Sequence, residues 1–541
     1  MFFKKIFFCI LCFSLLGNKN YSQNTVGLIL HEEETFEGFT LFSPSANSTV
    51  YLIDNCGKLI NTWECSNKPG NAVYLQPDGS LFRAGQLINQ QIHEGGAGGL
   101  IEKYNWDNDL MWSFTYNSPS YRAHHDFQVL PNGNVLLLAW EVKEKNEVIA
   151  NGRDTTILSD EKLWPEHIVE IEPIGVDSGK IVWEWHAWDH LIQDFDSSKN
   201  NYGDVSLHPE KIDLNYIRPG RDGRDWQHAN SIHYNSSLDQ ILLSVLYFDE
   251  VWIIDHNTTI QEAQTEKGDL LFRWGNPQTY RQGDDLDKKL FGQHNAHWIE
   301  EGFPDEGKIM IFNNGAGRTD SLFSNVVKID PIIENGFYKK NSTGKFLPED
   351  YDWVLNNNIP TNFYSRFISG AQQLSNGNIL INDGAHGTFF EINKDEEKVW
   401  EYVSPVTIFG IATQGNMVVN PIGEGTNTVF RATKFPKSYS AFIGKDVLPQ
   451  EPIEINPDLS LCELPDTIIN PSIPFKIFPN PVTTYLHIEG YIGEFNFYNL
   501  FGQLILNGKI EEPEEINVQK YPSGVYFLEL ENIPLQKIII H

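Results

Sequence analysis

Cysteine and methionine are scarce in this chain, and acidic residues strongly outnumber basic ones. The 541 residues include five cysteines, four methionines, and 40 Lys and Arg against 72 Asp and Glu, for a formal net charge of −32. The electrostatic field of this negative charge repels nucleic acid and anionic membrane surfaces, which excludes both as expected partners. It also disfavours an anionic substrate unless the binding site gathers positive charge locally.

Long apolar runs are absent except at the N-terminus. Lys4 and Lys5 precede an eleven-residue, largely apolar run from Ile6 to Leu16, and polar residues from Asn18 to Ser22 follow. The run is too short to span a bilayer, so the pattern predicts a secretory signal peptide over residues 1–22. No later segment approaches a membrane span, so we expect an exported protein without one.

Two of the five cysteines lie in this segment, which leaves Cys56, Cys65 and Cys462. A bridge between Cys56 and Cys65 is geometrically awkward because residues 58–64 read as an extended strand. The ends of such a strand lie roughly 30 Å apart at about 3.3 Å per residue, beyond the reach of a disulfide. Pairing of one of them with Cys462 stays open, and one thiol then remains unpaired.

A repeat marked by tryptophan fills most of the chain. Six tryptophans end short β-type runs at intervals of 47 to 91 residues: Trp63, Trp112, Trp183, Trp274, Trp353 and Trp400. Further hairpins lie between them, clearest in FQVLPNGNVLLLAW and AQQLSNGNILIND, where Asn-Gly predicts primed turns. Six copies of a four-stranded unit predict an all-β fold, a six-bladed β-propeller over residues 23–448. The alternative is an open β-sandwich in which the tryptophans recur by accident.

The two ends of the repeat region indicate how the ring closes. The chain enters through a hairpin from Tyr51 to Glu64 and leaves through IATQGNMVVN and TVFRATKF. We expect the two later segments to be the inner strands that the first hairpin lacks. One blade built from both ends of the chain removes the exposed edges of an open ring.

A second domain follows a Pro- and Asn-rich linker over residues 449–470. Short alternating strands over residues 471–541 predict a small C-terminal β-sandwich. Its PNP element begins at Pro479, its N-L-x-G-Q element at Asn499 and its S-G-V-Y-F element at Ser523. The segment resembles the C-terminal sorting domain of the type IX secretion system of Bacteroidetes. The resemblance implies that the secretion machinery is a partner and that the protein is secreted or at the cell surface. An accessory sandwich such as a glycan-binding module is the alternative.

Histidines in three motifs are the candidate chemistry of the propeller. HHDF contains His124 and His125, QHANSIHY contains His228, and GQHNAHW contains His294 and His297. In a propeller the start of each innermost strand faces the central channel. We therefore expect histidines from three consecutive blades to meet in one axial pocket. A single such histidine is more often a packing or capping residue, but three in register favour a site.

The spacing of these side chains bears on what they do. Positions i and i+3 of a strand face opposite sides, so His294 and His297 are not expected to chelate one metal ion together. His228 and Asn230 share a face, and an imidazole beside an amide suits oxyanion stabilisation better than metal binding. A neutral imidazole is also a good nucleophile toward phosphorus or sulfur near neutral pH. We expect no metal and no cofactor.

The motifs carry a second resemblance, from about Thr35 to Phe442. VYLIDNCGKLINTW, HHDFQVLPNGNVLLLAWE, DWQHANSIHY, QHNAHW and SGAQQLSNGNILINDGAHGTFFEI resemble the bacterial arylsulfate sulfotransferases. These are six-bladed propellers that move a sulfuryl group from an aryl sulfate ester to a phenol. The resemblance implies a ping-pong reaction through a sulfated histidine at His294, with His228 and His125 as further catalytic residues. It places Asn230 beside the sulfuryl oxygens.

One departure from that family concerns its arginine. Family members carry an arginine on the strand after the H-x-N motif, where this chain has Leu246 or Tyr247. A guanidinium is the group best shaped to hold a sulfate. Arginines of other blades are candidates to replace it: Arg318, Arg366 and Arg431. The expected substrate-binding set is Asn230, His124, His297, Arg318 and Arg366.

Two other functions stay open from the sequence. A non-catalytic propeller that binds glycans or a surface partner predicts binding that survives loss of His294. A metal-dependent hydrolase is a weaker third reading, which elemental analysis of the protein tests.

Overall fold

Strands make up most of the structure, a computed structural model. It describes residues 24–158, 160–221, 223–319, 321–355, 363–418, 425–462, 476–489, 491–500, 502–510, 514–530 and 533–541. The predicted signal peptide over residues 1–22 lies outside these ranges. None of the described helices is long and apolar enough to cross a membrane.

Six antiparallel sheets, which we number as blades 1 to 6, form the larger domain. From the axis outwards their strands are, in blade 1, Val429–Pro436, Gly38–Pro44, Thr49–Ile53 and Leu59–Glu64; in blade 2, Lys68–Leu75, Leu81–Gln86, Gly99–Tyr104 and Leu110–Thr115; in blade 3, Tyr121–Val129, Val135–Glu141, Glu166–Ile174 and Ser178–His186; in blade 4, Ala229–Asn235, Gln240–Val245, Glu250–Asp255 and Phe272–Trp274; in blade 5, His294–Trp298, Ile309–Asn313, Asn325–Ile329 and Trp353–Val354; and in blade 6, Gly370–Gln373, Ile379–Asp383, Thr388–Ile392, Lys398–Val403 and, at the edge, Gly27–His31. The six innermost strands contact one another in cyclic order, and the last contacts the first. The ring is therefore a six-bladed β-propeller, as the tryptophan repeat predicts.

Blade 1 closes the ring, but not with the strands that the sequence suggested. Its innermost strand is Val429–Pro436, which contains the expected TVFRATKF segment, and its second strand is Gly38–Pro44 from the N-terminal side. The prediction for IATQGNMVVN is wrong for its described residues 411–418, because Gly410–Ile411 pairs with Val406–Thr407 in a short separate hairpin; residues 419 and 420 lie outside the described ranges. The N-terminal side of the chain thus supplies three strands of this blade and the C-terminal side one.

The six tryptophans all lie on the outer strands that the repeat predicted, and five of them tie blades together. Their indole N–H groups donate to the connection between the third and fourth strands of the next blade: Trp63 to the Asn105 carbonyl (2.9 Å), Trp112 to the Ser178 carbonyl (2.8 Å), Trp183 to the Thr258 hydroxyl (3.1 Å), Trp274 to the Pro348 carbonyl (2.7 Å) and Trp400 to the Asn55 carbonyl (2.8 Å). A buried indole needs such a partner for its N–H. The hydrophobic core is divided in the same way, into six clusters that each lie between two adjacent blades.

The two Asn-Gly hairpins form, but with a different turn. A primed two-residue turn needs positive φ at both central residues. Here positive φ occurs at Gly133 (88°) and Gly377 (97°) and not at the asparagines before them. Leu130 N–H donates to the Asn134 carbonyl (2.8 Å), so the loop is longer by one residue and ends on the glycine. The glycine alone supplies the left-handed conformation.

Short elements join the blades. The helices are Lys145–Ala150 and Ile260–Ala263, with 3-10 turns at Ala187–His190, Val205–Leu207, Leu246–Phe248, Glu266–Gly268, Pro277–Tyr280, Gly384–His386, Ser440–Phe442 and Ser460–Cys462. Two-residue strands pair as Lys143–Glu144 with Lys162–Leu163, Leu191–Ile192 with Ile212–Asp213, Ile333–Glu334 with Phe337–Tyr338, and Val406–Thr407 with Gly410–Ile411.

The C-terminal domain contains two further antiparallel sheets. One has the strands Lys476–Phe478, Tyr485–Glu489 and Glu514–Asn517, and the other has Leu504–Ile510, Gly493–Tyr498, Gly524–Leu530 and Ile533–Ile540. They enclose one apolar cluster of their own, which confirms the small β-sandwich.

A disulfide joins the segment after the propeller to blade 1. Cys56 pairs with Cys462, and Cys65 keeps a buried free thiol. Gln450 N–H also donates to the Leu59 carbonyl (2.8 Å), so residues 450–462 pack along the propeller. This is the pairing with Cys462 that the sequence left open.

Candidate active site

Irregular backbone places the predicted histidines at the axis. The inner strands of blades 3, 4 and 5 each shift register against their second strand close to the HHDF, QHANSIHY and GQHNAHW motifs. His125, His228 and Asn295 have φ values of 49°, 51° and 50°. Left-handed backbone is uncommon for residues other than glycine, and a β-bulge re-aims the side chains around it. The inner strands of three consecutive blades thus contain the same feature, a register shift with one residue in the left-handed conformation.

Three of the predicted histidines meet closely. The ring centroids of His125 and His228 lie 4.6 Å apart, and Nδ1 of His124 lies 2.8 Å from Nδ1 of His125. Trp140 stacks on His124 at 3.7 Å between centroids and holds this ring from the other side. Burial, and after it the neighbouring His228, His124 and His294, lower the pKa of His125. The four rings of His124, His125, His228 and His294 are called the histidine cluster below.

Asn314 fixes the proton on His294. The Asn314 amide nitrogen donates to the carbonyls of Ser365 (2.7 Å) and Ile368 (2.9 Å), so its oxygen is the atom that faces His294. That oxygen lies 2.8 Å from Nδ1 of His294 and can only accept. His294 therefore carries its proton on Nδ1, and its Nε2 keeps a lone pair with no partner among the described residues. This is the arrangement that a nucleophilic imidazole requires.

His228 has a carboxylate behind it and an aromatic ring beside it. Its Nδ1 is hydrogen-bonded to the Asp225 carboxylate, and its ring stacks on Tyr247 at 4.7 Å between centroids. The carboxylate accepts from Nδ1 and directs Nε2 into the cluster, as the third member of a catalytic triad does. The Tyr247 ring occupies the position at which the sequence departs from the family's arginine.

Burial keeps the interior of the cluster uncharged. Desolvation lowers the pKa of His294 to about 3 and the pKa values of His124 and His125 well below 6.5. These rings are neutral at pH 7, because the charged form of a buried imidazole is costly. An anionic substrate thus has to find positive charge at the rim of the cluster.

Glu166 is a member of the site that sequence reasoning missed. It is the first residue of the third strand in blade 3, and its side chain is completely buried. Its Oε2 lies 2.8 Å from Nε2 of His124, and its Oε1 accepts from the backbone N–H of Ala229 (2.7 Å). Nothing in the motif WPEHIVEIEP distinguishes it from an exposed acidic residue of a strand. Only the pairing of the strands within blade 3 brings it behind His124.

Two other predicted substrate-binding side chains are turned away from the cluster. The Asn230 amide nitrogen donates to the Gln293 carbonyl (2.8 Å), next to His294, and so ties blade 4 to blade 5. His297 lies beyond the bulge and lines a different cavity of about 430 Å³ on the axis, together with His233 and Arg431. Among the described residues, no group of three or more His, Cys, Asp or Glu side chains is arranged to hold a metal ion.

The three candidate arginines occupy different places. Arg431 lies on the innermost strand of blade 1 and pairs with Asp126 at 2.9 Å on the axis. The guanidinium of Arg318 packs over Phe323 at 4.2 Å. Arg366 is exposed on the connection between blades 5 and 6. Arg431 is thus the nearest of them to the axis, and its charge is already balanced.

Arg221 is the cation at the rim of the histidine cluster. Its guanidinium lies 4.6 Å from the centroid of the Tyr247 ring, on which His228 also stacks. Two neighbouring arginines of the same loop are paired, Arg218 with Asp249 (3.2 Å) and Arg224 with Asp160 (3.3 Å). Among the described residues, no carboxylate or carbonyl pairs with Arg221. Sequence reasoning passed over it because its loop precedes the motif.

Comparison with protein families agrees with the histidine motifs. Residues 31–406 match the family model described as arylsulfotransferase (ASST). The chain belongs to the arylsulfotransferase family. The match spans blades 2 to 5 entirely and most of blades 1 and 6, and it includes every residue of the histidine cluster. Sulfuryl transfer is therefore the general chemistry of this domain.

The second match concerns the C-terminal sandwich of this arylsulfotransferase. Residues 476–541 match the model described as a secretion system C-terminal sorting domain. The protein is therefore exported, to the cell surface or to the medium, through a secretion machinery that reads this domain.

Other comparisons are more distant. No curated protein matches the sequence significantly. Similar solved structures include a protein of unknown function from Bacteroides caccae, with 11% identity and a TM-score of 0.39, covering 74% of this chain and 99% of that one. Another is an inactive virginiamycin B lyase from Staphylococcus aureus, with 11% identity, a TM-score of 0.31 and coverages of 69% and 87%. A periplasmic gluconolactonase from Pseudomonas aeruginosa shows 9% identity, a TM-score of 0.33 and coverages of 90% and 99%. Likenesses this weak carry no functional argument.

A glycine of blade 2 offers a test of the site in this arylsulfotransferase. A Cβ atom on Gly96 would lie 2.0 Å from the His125 ring, and the residue has a φ of 81° that disfavours any side chain. We expect Gly96→Ala to displace His125 and to lower kcat/KM about 100-fold, the usual cost of moving a catalytic group by about 1 Å. Gly95→Ala is the control, because its Cβ meets nothing within 4 Å. Equal activity of the two variants would show that the His125 position is irrelevant.

Proposed function

We propose that the domain transfers a sulfuryl group from an aryl sulfate ester to a phenol through a sulfated His294. The observation that carries this proposal is the fixed tautomer of His294. Asn314 accepts from Nδ1 at 2.8 Å and leaves Nε2 as a neutral nucleophile inside the histidine cluster. A pKa of about 3 keeps that lone pair available throughout the physiological pH range.

The reaction has two half-reactions of the same kind. In the first, Nε2 of His294 attacks sulfur, the bond from sulfur to the aryl oxygen breaks, and the leaving phenolate takes up a proton. In the second, the oxygen of an acceptor phenol attacks the same sulfur, the nitrogen–sulfur bond breaks, and the phenol gives up its proton. The sum is one sulfuryl group moved and no net change in protons.

The other cluster residues support these steps. His125 exchanges the proton with the phenol oxygen, since its Nδ1 is engaged by His124 and its Nε2 has no partner among the described residues. Asp225 is hydrogen-bonded to Nδ1 of His228 and holds this ring beside the sulfuryl group. Asn230 acts on the reaction indirectly, through its hydrogen bond to the Gln293 carbonyl.

Arg221 supplies the charge that draws the anionic donor into this acidic protein. We expect Arg221→Ala to lower kcat/KM for p-nitrophenyl sulfate about 10- to 100-fold, mainly through KM, because a hydrogen bond to a charged group contributes about 1.5–3 kcal/mol. Steady-state kinetics measure the effect. Arg224→Ala is the matched control, since Arg224 belongs to the same loop but pairs with Asp160 at 3.3 Å. If both variants lose activity equally, general loop damage is the cause and Arg221 has no special role.

The decisive experiment is mass spectrometry of the intact wild-type protein. We expect protein mixed with p-nitrophenyl sulfate and quenched in the absence of acceptor to gain the mass of one SO₃ group, located on His294. Addition of phenol removes the adduct and yields phenyl sulfate. A wild-type protein that gains no adduct and turns over none of a broad panel of donors and acceptors contradicts the proposal. Saturable glycan binding by such an inactive protein favours a surface-binding propeller.

A further inference from the structure

A continuous hydrogen-bond chain runs from a buried carboxyl group to the histidine cluster. It begins at Oε2 of Glu166, passes to Nε2 of His124 at 2.8 Å, and continues from Nδ1 of His124 to Nδ1 of His125 at 2.8 Å. The side chains of Glu166 and His124 are completely buried. Water therefore does not interrupt the chain, and its far end is Nε2 of His125.

Neighbouring groups dictate where the protons of this chain lie. The backbone N–H of Ala229 donates to Oε1 of Glu166 at 2.7 Å, so the acid proton belongs on Oε2, toward His124. Burial first, and then the nearby Asp225 carboxylate, raise the pKa of Glu166 well above its usual value. Burial lowers the pKa of both imidazoles, so neither ring is a stable cation. The chain thus has two arrangements in which both rings stay neutral.

These arrangements differ by one proton at each end. In the acid form, Glu166 donates from Oε2 to Nε2 of His124, His124 donates from Nδ1 to Nδ1 of His125, and His125 carries its proton on Nε2. In the base form, Glu166 is a carboxylate, His124 is protonated on Nε2, and His125 is protonated on Nδ1. Nε2 of His125 then has a bare lone pair that faces the cluster.

We propose that Glu166, His124 and His125 form a proton relay that gives a proton to the departing phenolate in the first half-reaction and takes one from the acceptor phenol in the second. This inference rests on the proposed function, because it assigns the proton of that reaction to named atoms. His125 is the catalytic residue that touches the phenol oxygen. Glu166 and His124 are positioning residues that act through it.

Each half-reaction converts the relay from one of its two forms to the other. When the donor's phenolate leaves, it takes the Nε2 proton of His125, the Nδ1 proton of His124 moves to Nδ1 of His125, and the Glu166 proton moves to Nε2 of His124. When the acceptor phenol attacks, its proton goes to Nε2 of His125 and the other two shifts run backwards. Glu166 is ionised only while His294 holds the sulfuryl group.

The relay avoids the formation of a buried imidazolium. A general base that becomes an imidazolium would place an unpaired charge where burial already disfavours it. Moving the charge along a hydrogen-bond chain leaves both rings neutral and puts the negative charge on Glu166. There the Ala229 N–H and the N–H of His124 stabilise it. The Asp225 carboxylate, which also acts on this carboxyl group, is itself paired with His228.

Glu166→Gln tests the relay because glutamine keeps the shape and both contacts but has no proton to give up. Its amide donates to His124 and holds the chain in the acid form, without a base at Nε2 of His125. Protein sulfated with p-nitrophenyl sulfate and then freed of donor is mixed with phenol or with 4-nitrophenol, which ionises at the assay pH. We expect the variant to transfer to phenol at least about 100-fold more slowly than the wild type, the size of a lost general base. Transfer to nitrophenolate, which has no proton to lose, stays within about threefold.

The matched control is Glu170→Gln on the same strand. Glu170 pairs with His256 at 3.0 Å, away from the cluster, so this variant transfers to both acceptors at the wild-type rate. Equal losses of Glu166→Gln with phenol and nitrophenolate, or no loss with either, overturn the relay while leaving the sulfated histidine in place.

A measurement without turnover separates the relay from the proposed function. Infrared difference spectra of the full-length protein at pH 7 are expected to show the carbonyl band of a protonated carboxylic acid that Glu166→Gln removes. Its absence means that resting Glu166 is ionised, and the proposed acid form does not exist. Its presence in a protein that forms no sulfated histidine supports the hydrogen-bond arrangement and defeats the sulfuryl-transfer function instead.

Discussion

His294→Ala is expected to reduce sulfuryl transfer by about 10⁴-fold or more, because removal of a nucleophile leaves only binding and electrostatic stabilisation. The same variant forms no SO₃ adduct when it is mixed with an aryl sulfate. His294→Gln is expected to behave alike while keeping a polar group beside Asn314, so that loss of packing is not the cause. Release of p-nitrophenolate and mass spectrometry of the quenched protein measure both results.

The control for this pair is His208→Ala. His208 is exposed and pairs with Glu210 at 2.9 Å, outside the histidine cluster. It should keep wild-type turnover and a wild-type adduct. Full activity of both His294 variants would contradict the assignment of the nucleophile. A sulfated residue elsewhere in those variants would transfer the role to that residue.

Acid sensitivity of the fold is the second large expected effect. Among the described residues, burial lowers the pKa of seven histidines below the ordinary 6.5: His31, His124, His125, His167, His233, His294 and His297. Each takes up a proton in the unfolded chain as the pH falls through 6.5, whereas the folded chain binds it only near its lowered pKa. The free energy of unfolding therefore loses a contribution from each ring as the pH falls below about 6.5, by about 1.4 kcal/mol per pH unit.

His167 isolates this effect from catalysis. It is buried outside the histidine cluster, its Nε2 lies 2.9 Å from the Tyr116 hydroxyl, and burial lowers its pKa to about 3. Between about pH 7.5 and about pH 4.5, the wild type should lose about 2–3 kcal/mol more unfolding free energy than His167→Gln. Denaturant titrations at several pH values measure the difference. Buried carboxyl groups with a raised pKa, such as Glu166 and Glu250, contribute in the opposite direction. Their contributions cancel in the difference between the wild type and His167→Gln.

His208→Gln again provides the comparison, because it removes an exposed histidine outside the apolar core. Its unfolding free energy should follow the wild-type pH dependence in parallel. Parallel curves for His167→Gln as well would mean that the folded and unfolded chains bind this proton alike, contrary to the lowered pKa of His167.

The number of blades was readable from the sequence because each one ends in the same residue type. Trp63 and its five counterparts occupy outer strands, and most of them make the same hydrogen bond to the next blade. The repeat is local, so the pattern alone predicts it. The strands of blade 1 are a different matter, since Gly38–Pro44 and Val429–Pro436 pair across almost the whole chain. No local pattern distinguishes them from IATQGNMVVN.

The composition of the site was only partly readable. His125, His228 and His294 stand in motifs at strand starts, and a strand start in a propeller faces the axis. Glu166 and Arg221 stand in no motif. Glu166 reaches His124 through strand pairing within blade 3, and Arg221 reaches Tyr247 through a loop. Long-range pairing and loop conformation of this kind leave no periodic signal in the chain.

The class of fold, the export domain and the three histidine motifs were readable from the amino-acid sequence, because they follow from local periodicity and from short motifs. The three-dimensional arrangement fixes which ring nitrogens are hydrogen-bonded. Asn314 accepts from Nδ1 of His294, Asp225 accepts from Nδ1 of His228, and Glu166 is hydrogen-bonded to Nε2 of His124. A tautomer depends on the one atom that lies within hydrogen-bonding distance. For His294 and for Nε2 of His124 that atom, on Asn314 or on Glu166, comes from a distant part of the chain.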